Sequence, residues 1–149
     1  MTFGAIAGSL AVASFTNAQM VQRLGMRRVS HSALFGLLVV ASAMSLASLA
    51  GRPPLIVFGP LMALAFFCFG LMFANFNAIA MHPMAHVAGT AASLIGFTST
   101  LIGAFLGWTV GRLFDGTVRP LAIGFLLLGI AALACVLVVE GRKGLFKGE

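Results

Sequence analysis

Few residues in this 149-residue chain could do chemistry, and most of those sit at the margins of apolar runs. His82 and His86, four apart with Pro83 between them, could in principle share a metal ion. No carboxylate or cysteine stands beside them, so contacts with headgroups or backbone carbonyls are the expectation, and no metal site is assigned. No cofactor or catalytic residue is assigned either. The chain lacks a Walker loop, a Gly-x-Ser-x-Gly elbow, a His-Glu-x-x-His helix and a dinucleotide fingerprint. Asn75 and Asn77 are amides inside a long apolar stretch. Hydrocarbon offers them no hydrogen bond, so they must face protein or a water-filled cavity. Phe66, Gly70, Phe73 and Asn77 recur at i, i+4, i+7 and i+11, on one helical face. Rings interleaved with amides suit bulky amphipathic compounds, which makes Phe66, Phe73, Asn75 and Asn77 the expected lining of a pathway. The plainer expectation is that the amides bond between helices.

These residues need helices in lipid to position them. The chain is 60% hydrophobic and 8% charged, with nine basic and three acidic residues. A soluble domain of this size carries about a quarter charged residues. Stretches free of charge run from about Thr2 to Gln22, Val29 to Gly51 and Pro53 to Gly111, and a last apolar one runs from about Val118 to Val139 with Arg119 at its start. A bilayer core about 30 Å thick takes roughly 20 helical residues, so the long third stretch holds two spans. Proline disfavours helix before it, which places the break at His82-Pro83-Met84-Ala85-His86. The expected fold is therefore all-α: one multi-pass transmembrane bundle over residues 1–149, with five helices near 2–22, 29–51, 54–81, 85–111 and 118–139. The third is long, and Pro60 should kink it or end its first turn.

Charge positions set the orientation. An N-terminus outside puts Arg23, Arg27, Arg28, Arg142, Lys143 and Lys147 inside, against Arg52, Arg112 and Arg119 outside. The positive-inside rule favours that arrangement over its reverse. The net charge of +6 is thus a topology signal rather than a nucleic-acid footprint. No basic residue precedes the first apolar stretch, which fits an inserted helix better than a cleaved leader. Arg23-Leu24-Gly25-Met26-Arg27-Arg28 forms a tight basic turn, in which Gly25 permits the bend and Arg23, Arg27 and Arg28 anchor it. Arg112 and Asp115 are spaced for a local pair. Helices in lipid associate where small residues let backbones approach. Gly89, Gly96, Gly103, Gly107 and Gly111, three of them in a tandem small-xxx-small run, are the expected packing face of the fourth helix. No Asp, Glu, Lys or Arg lies in the middle of a span, so the chain alone offers no proton relay.

The stretch Asn17-Ala-Gln-Met-Val-Gln-Arg-Leu-Gly-Met-Arg-Arg28, followed by His86-Val-Ala-Gly-Thr-Ala-Ala-Ser-Leu-Ile-Gly96, resembles the C-terminal half of major facilitator superfamily transporters. The similarity is to the Bcr/CflA-type drug-resistance exporters, and it spans nearly the whole chain as the equivalent of helices eight to twelve. The resemblance implies part of a proton-coupled efflux transporter for small molecules in a bacterial inner membrane, with a cytoplasmic C-terminus. Its implied partners are the lipid bilayer, a small amphipathic substrate and either an N-terminal transporter half or further copies of itself. The alternative is a non-transporting membrane protein that oligomerises through its glycine faces.

Overall fold

The computed structural model describes residues 2–141. The basic tail residues Arg142, Lys143 and Lys147 lie outside that range. The described backbone is helical apart from short connections, with no strand: α1 (Thr2–Leu24), α2 (Met26–Leu49), α3 (Leu55–Met81), a 3-10 helix (His82–Val87), α4 (Ala88–Arg112) and α5 (Arg119–Glu140). The bends come from residues suited to them. Gly25 links α1 to α2 at a φ of 80°, a left-handed value that disfavours any side chain. Pro54 caps α3 in an extended conformation. Pro60 lies inside α3 and removes the amide that would bond the Ile56 carbonyl, yet the helix continues through it near its exposed start.

The expectation of five separate spans is corrected. Helical backbone runs without a loop from Leu55 to Arg112, leaving four helical rods, of which the third is bent. Pro83 begins the 3-10 turn, where a missing amide costs no hydrogen bond, so it bends the rod without interrupting it. Met84 (φ −107°, ψ 20°) and Val87 (φ −128°, ψ 33°) carry the kink. Among the described residues, three segments are long and apolar enough to cross a membrane: α2, the bent rod Leu55–Arg112, and α5. α1 has the length at 23 residues, but Asn17, Gln19 and Gln22 dilute its second half.

α2 is the centre of the fold. Eleven of its residues are buried, among them Val29, Leu34, Leu37, Val40 and Met44. It runs antiparallel to α3, with Gly36 against Cys68 and His31 near Phe76. It is also antiparallel to α5, with Leu38 against Gly129. α1 lies along α3 in the same direction, pairing Leu10 and Ala13 with Gly70 and Asn17 with Asn75. At Gly36, Gly70 and Gly129 a glycine meets a side chain that a Cβ would press, which is how helices without a water-driven force between them reach contact. α4 stands apart, with Ala91 its single buried residue. Only its last turns meet α5, where Val110 touches Gly124.

Candidate functional site

Two places gather chemistry. The first is the seam between α4 and α5. Beside the Val110–Gly124 contact lies an apolar cleft of about 620 Å³, lined by Gly103, Leu106, Gly107, Phe114, Phe125 and Leu128 among others. A second recess of about 560 Å³ shares Val110, Pro120 and Gly124 with it and reaches Thr109, Asp115 and Arg119. Both volumes fall in the range of small-molecule sites. Beside the cleft, the connection between the two helices is held by short side-chain bonds. The Thr117 hydroxyl and amide donate to Asp115 Oδ1 at 2.6 and 3.0 Å, and the Arg119 amide donates to Thr117 Oγ1 at 3.2 Å. The hydroxyl bond, ahead of the amide bond and nearby Arg119, holds the exposed Asp115 carboxyl below the usual aspartate range. The expected Arg112–Asp115 pair is replaced by this arrangement, and Arg112 lies instead over the Trp108 ring at 5.6 Å.

The second place is the meeting of α2 and α5. At one end, Arg119 Nε donates to the Ser48 carbonyl at 2.9 Å, satisfying an acceptor that the end of α2 would otherwise leave open. At the other end, His31 Nε2 lies 3.1 Å from Glu140 Oε2, and Arg27 Nε lies 4.0 Å from Glu140 Oε1. His31 is fully buried, and the Glu140 side chain is 12% exposed. The His31–Glu140 contact is an electrostatic approach rather than an aligned hydrogen bond. The Phe76 ring, 6.2 Å from the imidazole, closes the α3 side.

The residues singled out from sequence scatter across the molecule. Asn75, 2% exposed, donates to Asn17 Oδ1 at 2.6 Å and to the Leu71 carbonyl at 2.8 Å, so it joins α1 to α3. Asn77 is half-buried and donates to the Phe73 carbonyl of its own helix. Phe73 is 57% exposed and lies against Phe69, while Phe66 meets Phe125 of α5. Of the lining candidates, therefore, only Phe66 comes near the cleft, through Phe125. Gly89, Gly96, Gly103, Gly107 and Gly111 all face open space, and the last three line the cleft. Arg23 and Arg28 are exposed on the Gly25 turn, and Arg27 is half-buried towards Glu140. His82 and His86 are exposed on the 3-10 helix. Among the described residues no cluster of three or more His, Cys, Asp or Glu is placed to hold a metal.

Sequence reasoning missed the His31–Glu140–Arg27 cluster. Charged residues served there as markers of where spans end, so Glu140 was read only as the terminus of the last one. One signal was available: Arg27 and His31 lie one turn apart, at i and i+4, so a single acid could meet both. No protein-family model matches the chain, and neither the curated proteins nor the solved structures contain a match.

Proposed function

We propose that this chain is a multi-pass protein of a bacterial inner membrane and forms one wall of an export pathway for small amphipathic compounds, as part of a proton-coupled transporter of major facilitator type. The observation that carries this reading is the open α4–α5 cleft, apolar and of small-molecule size, bordered by a helix that its own chain leaves almost uncovered. A helix with open glycines on that border can approach and withdraw from another wall at little steric cost. The apolar helical rods cross as multiple passes in this reading. The basic α1–α2 turn and the end of α5 share one end of the bundle, which supports both facing the cytoplasm with the N-terminus outside.

The test is expression in a drug-sensitive bacterial strain with and without a matching six-helix N-terminal half, with efflux of ethidium as the readout. Faster efflux from the pair, lost in Gly107→Leu as the cleft fills, supports the reading. Efflux equal to that of empty cells from both would overturn it. The open face of Gly103, Gly107 and Gly111 favours a second reading, a non-transporting oligomer. Cysteine cross-linking between copies along α4, without any effect on efflux, would select that one.

A further inference from the structure

We propose that His31 and Glu140 form a proton-binding site between the start of α2 and the end of α5, and that its occupancy sets how firmly the end of α5 is held. Nothing in this inference depends on transport. His31 is fully buried on the most enclosed helix of the fold, and its Nε2 stands 3.1 Å from a carboxylate supplied by another helix. A buried imidazole against a carboxylate is a place where a proton can be taken up and its charge compensated. Among the described residues, each element packed there supplies a definite group. α5 supplies Glu140, α2 supplies Arg27 at 4.0 Å from the same carboxylate, and α3 presents the Phe76 ring. Arg23 at the end of α1 and Arg28 on α2 are exposed on the basic turn.

Two donors are too few for a metal, and among the described residues no third joins them. The proton's route runs past Glu140, whose side chain is 12% exposed, because the imidazole itself meets no solvent. Binding adds one proton to an imidazole nitrogen and breaks no bond. The sign follows from the charges. With His31 protonated, Glu140 meets two cations and α5 is clasped. With the imidazole neutral, one cation is lost, Arg27 remains, and the clasp loosens.

Cys68 supplies a reporter, being buried on α3 against Gly36 of α2, whereas Cys135 is exposed and is removed by Cys135→Ser. The full chain in detergent micelles is labelled with a maleimide, and each variant is compared with the parent at the same pH, which cancels the thiol's own pH dependence. His31→Gln is expected to label about fivefold faster than the parent near pH 5.5 and at the parent's rate near pH 8. His31→Lys, with a fixed charge, is expected to match the parent near pH 5.5 and to label more slowly near pH 8. A His31→Gln ratio that is the same at both pH values would mean a merely structural imidazole and would overturn the proposal. Should His31→Gln fail to fold, a His31→Lys ratio unchanged between the two pH values overturns it equally.

Discussion

α2 and α4 are close in length, 24 and 25 residues, and both are strongly apolar, yet one is the centre of the fold and the other its least covered helix. Eleven residues of α2 are buried against one of α4. Apolar content does not account for the difference, because in lipid it rewards exposure as readily as contact. What separates them is complementarity. Gly36 of α2 lies under Cys68 of α3, Gly129 of α5 lies under Leu38 of α2, and Arg119 ties α5 to the end of α2, whereas the glycines of α4 meet nothing. A glycine stripe is an opportunity for contact, and it becomes an interface only where another helix supplies the side chain that fits.

Substitutions that fill the two kinds of glycine should show the largest contrast. A Cβ at Gly70 would stand 3.0 Å from the Ala13 Cβ and 3.3 Å from Leu10, so Gly70→Leu should force α1 from α3 and cost about 1–3 kcal/mol. Gly103→Leu projects into open space and should change stability by less than about 0.5 kcal/mol. Thermal unfolding in detergent reads both, and equal losses would erase the distinction between the two regions. The amides sharpen it on a smaller scale. Asn75→Leu breaks a bond between α1 and α3 and should cost about 1 kcal/mol, while Asn77→Leu removes only a bond to its own helix and should be near neutral in the same assay.

The smallest effect concerns the connection beside α4. Thr117 holds Asp115 ionised to lower pH than usual, so this contribution is present at neutral pH and fades as pH falls through the lowered value. Thr117→Val should move the Asp115 titration upward, as followed by carboxyl-carbon NMR. An unchanged midpoint would show that the hydroxyl bond at 2.6 Å does not form in solution.

The helix boundaries were legible from the residues, because charge, proline and glycine each mark an end for a local reason. Gly25 was legible as a turn on the same grounds, and it has the positive φ that the turn requires. The continuity from Leu55 to Arg112 was not. Pro83 was read as a break, but a proline that opens a 3-10 turn bends the chain without opening it. The outward face of α4 was illegible for another reason, since contact between helices depends on a partner whose register no single segment encodes. His31 and Glu140 lie far apart in the sequence and meet because α2 and α5 run antiparallel.

That antiparallel docking has a consequence for biogenesis. Arg119, which covers the Ser48 carbonyl, lies 71 residues downstream of it, and Glu140 is made later still. The central helix therefore leaves the ribosome long before α5, one of its two antiparallel neighbours, exists. Until then water or the insertion machinery must shelter its polar atoms, and α5 displaces that shelter when it docks.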